Sequence, residues 1–149
     1  ANASSISDGA AALTLMMADQ AAEQGLKPIA IIHGYDESAQ EPEWFTTAPV
    51  TAIQNTLKRV GWTLDEVDLW EINEAFAVVA MAAMRELGIS HEKLNVHGGA
   101  CALGHPIGAS GARIVVSLIH AMIRRGDKRG VASLCIGGGE ATAIAIEII

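Results

Sequence analysis

The fold of this chain is decided by the stretch from Asn95 to Arg113, which reads NVHGGACALGHPIGASGAR. Five of these residues are glycine, which adopts backbone conformations that other residues avoid. The stretch therefore predicts a series of tight turns. We expect a strand over residues 94–97 to lead into it and a helix over residues 109–125 to follow it, because apolar residues recur at helical spacing up to Gly126.

Helices and strands alternate on both sides of this stretch. Helices are predicted over residues 18–24, 49–60 and 74–87, and strands over residues 28–35, 69–72, 131–136 and 141–149. Thr47 is expected to cap the second helix, Thr63 and Glu66 match a capping box, and residues 10–17 fit either strand or helix. The order predicts an α/β layered sandwich with helices on both faces. Its sheet should be mixed and mostly parallel, with an antiparallel C-terminal hairpin.

Composition excludes several classes of protein. The 149 residues suffice for one domain, and 50% apolar against 18% charged residues argues against a disordered chain. The net charge of -7 argues against nucleic acid as a partner. We expect no membrane span, because no apolar run approaches about 20 residues. The two cysteines and the histidines fit no metal-site spacing, and the glycine-rich loops fit no nucleotide-binding pattern.

Three short motifs carry reactive groups on predicted turns. They are Asn73-Glu74-Ala75-Phe76, Gly104-His105-Pro106, and Cys135 followed by the glycines of residues 137–139. An amide, an imidazole and a thiol, each next to small residues, are the components of an acyl-transfer site. The residues alone leave simpler readings open: Asn73 can be a helix N-cap, Cys135 a buried core thiol and Phe76 a core residue.

These motifs resemble the thiolase family of acyl-CoA acyltransferases. The stretch of residues 95–113, the segment 135–140 and the segment 73–76 resemble its signatures, and the opening Asn2-Ala3-Ser4 followed by residues 8–11 resembles another family segment. The similarity covers nearly the whole chain but only the C-terminal part of a thiolase. It implies that residues 1–24 are the closing segment of a missing N-terminal domain and that residues 25–149 form the C-terminal domain. The chain begins without methionine, as a fragment would.

The resemblance implies a role for each motif. Cys135 would be the acid/base, His105 would activate a nucleophilic cysteine in the missing half and hydrogen-bond the thioester oxygen, and Asn73 would hold a catalytic water. The Gly137 N–H would contribute to an oxyanion hole. The expected reaction is condensation of two acetyl-CoA to acetoacetyl-CoA and the reverse thiolysis, through an acyl-cysteine. Because the nucleophile belongs to the missing half, the isolated chain is expected to be inactive.

The resemblance also indicates how coenzyme A would be bound. Ser4 and Phe76 are the expected contacts, coenzyme A thioesters are the substrates, and no permanently bound cofactor is expected. The negative charge suits CoA phosphates poorly, so their basic contacts would come from the missing half. A homodimer or homotetramer is implied for the intact enzyme. Two cysteines make no disulfide framework, which favours a cytoplasmic location.

Three alternatives stay open. One is a 3-ketoacyl-CoA thiolase of fatty-acid β-oxidation, and another is a non-catalytic acyl-CoA-binding relative that lacks a nucleophile. A decarboxylating ketoacyl synthase is disfavoured, because such enzymes usually carry histidine where this chain has Asn73.

Overall fold

The computed structural model describes residues 2–149. The helices are α1 (Ala18–Glu23), α2 (Ala48–Val60), α3 (Ala77–Leu87), α4 (Ala100–Leu103) and α5 (Ser110–Arg125). The strands are β1 (Ala30–Ala39), β2 (Leu69–Ile72), β3 (Arg129–Cys135) and β4 (Glu140–Ile148). Short 3-10 turns lie at Pro42–Trp44, Leu64–Glu66 and His91–Lys93. The predicted α/β class is confirmed.

The four strands form one mixed sheet in the order β1-β4-β3-β2. The C-terminal hairpin of β3 and β4 is antiparallel, as predicted. The expectation of a mostly parallel sheet holds for the strand directions but not for the pairings: β1, β2 and β3 run in one direction and β4 runs opposite to them, but only the β2–β3 pairing is parallel, because β1 pairs antiparallel with β4 along almost its full length. The cause is a long-range pairing between an early strand and the last strand, which the order of helices and strands along the chain does not specify.

Helices cover both faces of the sheet, as predicted. On one face, α2 and α3 pack against β3 and β4 through small and branched residues such as Ile53, Ala83 and Ala143. On the other face, Ile114, Leu118 and Met122 of α5 pack against the sheet. Burial of these apolar side chains is the main source of stability of the fold. The arrangement leaves the carboxyl ends of β2 and β3 open to the loops that carry the three motifs.

Local signals predicted several element ends correctly. Gly61, Gly88 and Gly126 end α2, α3 and α5 in the left-handed conformation, with φ of 71°, 69° and 77°. The capping box between Thr63 and Glu66 is present. The expected Thr47 cap is wrong, because its hydroxyl donates to the Trp44 carbonyl, 3.0 Å away.

Two predicted segments have other conformations. Residues 94–97 form no strand, because only Leu94 bridges to Trp70 before the chain turns. Residues 10–17 are neither strand nor helix. The preceding residues instead run along the loops of the motifs, with bridges from Ala3 to Phe76 and from Ile6 to His105. No helix within residues 2–149 is long and apolar enough to cross a bilayer.

Candidate active site

Asn73 directly follows β2 and is almost fully buried, with 1% of its surface exposed. Its backbone N–H donates to the Ser133 carbonyl over 2.9 Å, which continues the parallel pairing of β2 with β3 by one residue. The reading of Asn73 as a helix N-cap is wrong, because α3 begins at Ala77 and its N-cap position is Phe76. The Asn73 carboxamide is therefore free to serve the site.

Asn95 holds the residue before Asn73 in place. Its carboxamide oxygen accepts from the Ile72 N–H over 2.9 Å, and its NH2 group donates to the Ile72 carbonyl over 2.8 Å. The Asn95 side chain thus forms the two hydrogen bonds that the backbone of a neighbouring strand would otherwise form with Ile72 at the edge of β2. Asn95 has φ of 48°, a left-handed conformation in which asparagine is enriched. Sequence reasoning missed this role, although an asparagine three residues before the paired glycines of residues 98–99 was the available signal.

Glu74 ties the Asn73 loop to α4. Its carboxylate accepts from the Cys101 N–H over 3.0 Å. A Cβ on Gly99 would lie 2.3 Å from this carboxyl group, so a side chain at position 99 would displace the Glu74 carboxylate from its hydrogen bond. The loop after β2 and the turn before His105 are thereby fixed to each other.

His105 lies in the loop between α4 and α5, beside the opening segment of the chain. Its N–H donates to the Ser5 carbonyl over 2.8 Å. The preceding Gly104 has φ of 90°, and a Cβ there would lie 2.4 Å from the Ser7 hydroxyl. A side chain at position 104 would therefore push away the segment that fixes the His105 backbone.

The His105 ring contacts two polar side chains. Its Nε2 lies 3.4 Å from the Asn73 NH2 nitrogen, and its Nδ1 lies 2.6 Å from the Ser110 hydroxyl. Burial, and then the positive charge of Arg113, lower the pKa of His105 below its ordinary value of 6.5. The ring is therefore neutral near pH 7 and able to accept a proton.

Cys135 ends β3 at the same edge of the sheet at which Asn73 follows β2. Cys135 is 8% exposed, and burial raises the pKa of its thiol above the ordinary value. Within residues 2–149, no hydrogen bond joins this thiol to Asn73 or His105. The structure thus brings Asn73 and His105 into contact and places Cys135 on the adjacent strand, with no hydrogen bond from its thiol to either residue.

Gly137 lies in the turn between β3 and β4. The turn is closed by the Ile136 N–H donating to the Glu140 carbonyl over 2.7 Å and the Gly139 N–H donating to the Ile136 carbonyl over 3.2 Å. Gly137 is exposed, and a Cβ built on it would meet nothing within 4 Å. In the described part of the chain its N–H has no hydrogen-bond partner, so it can donate to a ligand.

Ser4 and Phe76 lie on either side of Ala75. The Ser4 hydroxyl donates to the Ala75 carbonyl over 3.1 Å, which leaves its oxygen free only to accept further hydrogen bonds. Phe76 is 41% exposed and contacts Phe45 edge-on, with ring centroids 6.0 Å apart. Its exposed surface argues against a purely core role.

The partly buried Arg113 and the fully buried Glu71 are a charged pair next to Asn73 that sequence reasoning missed. Arg113 Nη2 donates to Asn73 Oδ1 over 3.2 Å, and its Nη1 lies 3.7 Å from a carboxylate oxygen of Glu71. Burial raises the pKa of Glu71 to about 7, which the positive charge of Arg113 partly opposes. Two signals were available: a carboxyl group inside an apolar strand, and an arginine in the first turn of a helix, where the dipole disfavours a cation.

Known proteins share this architecture and these sequence motifs. A family model described as "Thiolase, C-terminal domain" matches residues 26–148. The chain belongs to the thiolase family. An acetyl-CoA acetyltransferase of Chromobacterium violaceum is 54% identical over 98% of the chain, and a cytosolic acetyl-CoA acetyltransferase of Mus musculus is 50% identical over 99%. The chain spans only 37% of the length of either relative.

Solved thiolase structures superpose closely on the chain. The Bacillus anthracis acetyl-CoA acetyltransferase matches with a TM-score of 0.88 and 48% identity over 90% of this chain and 34% of its own. A human mitochondrial 3-ketoacyl-CoA thiolase matches with a TM-score of 0.86 and 44% identity, over 89% of this chain and 33% of its own. The thiolase fold expected from the motifs is confirmed.

Proposed function

We propose that this chain is the C-terminal portion of an acetyl-CoA C-acetyltransferase. The intact enzyme would condense two acetyl-CoA to acetoacetyl-CoA, and run the reverse thiolysis, through an acyl-cysteine on its N-terminal half. The observation that carries the proposal is the contact between the Asn73 carboxamide and the His105 imidazole, at the edge of the sheet where Cys135 ends the adjacent strand. Relatives named acetyl-CoA acetyltransferase support the choice of reaction.

Each residue has a proposed task. The neutral His105 ring takes the proton of the nucleophilic thiol and afterwards donates a hydrogen bond to the thioester oxygen. Asn73 holds the water that completes this oxyanion site. Cys135 protonates the departing CoA thiolate and later removes a proton from the methyl group of the second acetyl-CoA. The free Gly137 N–H stabilises the oxyanion formed in that second step.

The proposal extends to coenzyme A and to the rest of the protein. Ser4 and Phe76 would contact CoA, which is supported by the Ser4 oxygen being free to accept and by the exposed Phe76 ring. A structural relative from Ascaris suum is described in complex with coenzyme A.

Residues 1–24 would close the N-terminal domain. This is supported by the exposure of the segment: Ala21 is the one buried hydrophobic residue among residues 2–24, which leaves the other apolar side chains for contact with that domain. A homodimer or homotetramer in the cytoplasm is proposed, and cytosolic relatives support the location.

A second candidate is a 3-ketoacyl-CoA thiolase of fatty-acid β-oxidation. It is supported by the match to the human mitochondrial structure of that name. The two candidates share the catalytic groups and differ in the acyl chain they accept. Comparing thiolysis of acetoacetyl-CoA with thiolysis of a long-chain 3-ketoacyl-CoA separates them, and a preference for the long chain would reject the first proposal. Binding of acyl-CoA without any turnover would instead indicate a non-catalytic relative.

A fusion protein tests the proposed function. The chain would replace the matching C-terminal region of the Chromobacterium violaceum relative, which supplies the rest of the enzyme. We expect thiolysis of acetoacetyl-CoA by the fusion. His105→Ala and Cys135→Ala should each lower kcat by about 10²–10⁴, the usual contribution of a positioned acid or base.

Cys101→Ala is the matched control, because Cys101 is the other free cysteine and is exposed. It should leave kcat unchanged. A folded fusion in which Cys135→Ala and Cys101→Ala have equal activity would refute the proposed role of Cys135.

A further inference from the structure

We propose that Arg113 is a positioning residue. Its guanidinium fixes the orientation of the Asn73 carboxamide, and the carboxamide in turn determines which ring nitrogen of His105 carries the proton. Glu71 restrains the guanidinium. The side chains form one hydrogen-bonded series from the partly buried Arg113 to Asn73, His105, Ser110 and the backbone carbonyl of Pro106.

Ser110 and Arg113, on opposite sides of His105 in this series, differ in their effect on which ring nitrogen of His105 carries the proton. At one end, the Ser110 hydroxyl lies 2.6 Å from His105 Nδ1 and 3.1 Å from the Pro106 carbonyl. A hydroxyl has one hydrogen and accepts as well as it donates, so Ser110 is compatible with a proton on either ring nitrogen. Ser110 alone therefore does not choose the tautomer.

At the other end, Arg113 can only donate hydrogen bonds. The Asn73 carboxamide must therefore turn its oxygen, and not its NH2 group, toward Arg113 Nη2, which lies 3.2 Å from that oxygen. The Asn73 NH2 group must then face His105 Nε2, 3.4 Å away. Two donors cannot satisfy each other, so Nε2 carries a lone pair and the proton lies on Nδ1, from which it donates to Ser110.

Glu71 keeps the guanidinium at this position. The nearest atoms of the pair are 3.7 Å apart, too far for a direct hydrogen bond, so Glu71 restrains Arg113 by charge. The Glu71 carboxyl is 1% exposed and Arg113 reaches it from α5 across the layer between helix and sheet. In the absence of Arg113, Asn73 would be free to present either its oxygen or its NH2 group to the ring.

The catalytic meaning of this arrangement rests on the proposed function, because an unprotonated Nε2 is the form that can accept a thiol proton. The arrangement itself is measurable without substrate or turnover. If the fusion protein shows no thiolysis but the expected His105 tautomer is found, the proposed enzymatic function is rejected and the positioning role of Arg113 stands.

The test is 15N NMR of the full 149-residue chain with labelled histidines, at about pH 8, where a histidine with its pKa below 6.5 is neutral. The His105 signals are assigned by their loss in His105→Gln. In the unchanged chain we expect one tautomer, with the shift of an unprotonated nitrogen at Nε2 and of a protonated nitrogen at Nδ1. The opposite assignment would overturn the proposal.

Variants at position 113 complete the test. Arg113→Met should give a mixture of tautomers and move the Nε2 shift toward the protonated value. Arg113→Lys keeps a cationic donor and should restore the single tautomer. Arg124→Met, an exposed arginine in the last turn of the same helix, is the matched control and should change nothing.

A folded Arg113→Met chain with the unchanged tautomer would overturn the proposal. Glu71 can take up a proton when its partner is removed, which favours folding of this variant. If Arg113→Met does not fold, Arg113→Gln decides the question with the same two outcomes, because its shorter, uncharged side chain cannot bridge Asn73 and Glu71.

Discussion

At the scale of single residues, Asn73 and His105 lie together as their motifs led us to expect, whereas the side chains that hold them in place were not predicted. Asn73, His105 and Cys135 stand out because each is a chemically capable side chain beside small residues on a turn. Arg113, Glu71 and Asn95 act through residues 23–42 positions away in sequence, at distances set by the packing of α5 and the loops on β2. Nothing local in the sequence encodes those contacts.

Glu71 should make the stability of the chain depend on pH. Its pKa is raised to about 7 in the folded chain, from an ordinary value of 4.5. Between these values the folded chain holds a proton that the unfolded chain has lost, so Glu71 stabilises the fold at low pH. This contribution falls as pH rises through the window, by up to about 1.4 kcal/mol per pH unit.

Urea unfolding of the chain and of Glu71→Gln across this pH range measures the effect. The variant cannot titrate at this position, and the contribution of His105 cancels in the difference. The free energy of unfolding of the chain should fall relative to that of Glu71→Gln as pH rises. A difference that stays constant with pH would contradict the raised pKa.

Asn95→Ala should destabilise the fold by leaving both backbone groups of the buried Ile72 without partners. Each unsatisfied buried group costs about 1–3 kcal/mol, so a total loss of about 2–6 kcal/mol is expected. The matched control is Asn55→Ala, whose side chain makes one exposed hydrogen bond to the Glu37 carbonyl. Urea unfolding compares the two, and an equal, small loss for both would show that the Asn95 contacts add no stability.

At the scale of helices and strands, the ends fixed by local chemistry were predictable. Glycine terminators and the capping box act within a few residues, and they are found where expected. The strand predicted over residues 94–97 was wrong, because Asn95 uses its side chain in place of a strand's backbone. The first strand extends to Ala39, beyond its predicted end, because pairing with β4 continues to Glu140.

Substitutions of two glycines, Gly130 at the contact of β3 with α5 and Gly111 in α5 itself, should have opposite effects on stability. A Cβ at Gly130 would lie 2.6 Å from the Met122 sulfur and 2.8 Å from Leu118 Cδ1, so Gly130→Val should push α5 from the sheet and cost about 1–3 kcal/mol. Gly111 lies in the first turn of α5 with nothing within 4 Å of an added Cβ, so Gly111→Ala should stabilise by up to about 0.5 kcal/mol, less than in a helix interior. Thermal unfolding measures both changes. Stabilisation by Gly130→Val would contradict the close packing of α5 on β3.

At the scale of the whole molecule, the class and the two helical layers were predictable from the order of elements. The position of β1 beside β4 was not, because its partner is the last strand of the chain and their pairing spans residues 30–148. The chain corresponds to 37% of its Chromobacterium violaceum relative, so it holds part of the proposed site.

The proposed division of the site predicts that the purified chain alone has no thiolase activity. The nucleophilic cysteine would be supplied by the rest of the enzyme, and His105 and Cys135 cannot form the acyl-enzyme without it. Thiolysis of acetoacetyl-CoA by the isolated chain is the measurement, with the fusion protein as the positive control. Turnover by the chain alone, sensitive to Cys135→Ala, would show that Cys135 is itself the nucleophile.

In the proposed site, His105 and Cys135 serve one reaction although no hydrogen bond joins them. The most direct test is a double-mutant comparison in the fusion protein, with condensation measured for His105→Ala, Cys135→Ala and both together. Residues that act as a unit have strongly non-additive effects. We predict that the double variant is little slower than the worse single variant. Losses that multiply, or near-normal condensation by either single variant, would contradict a shared site.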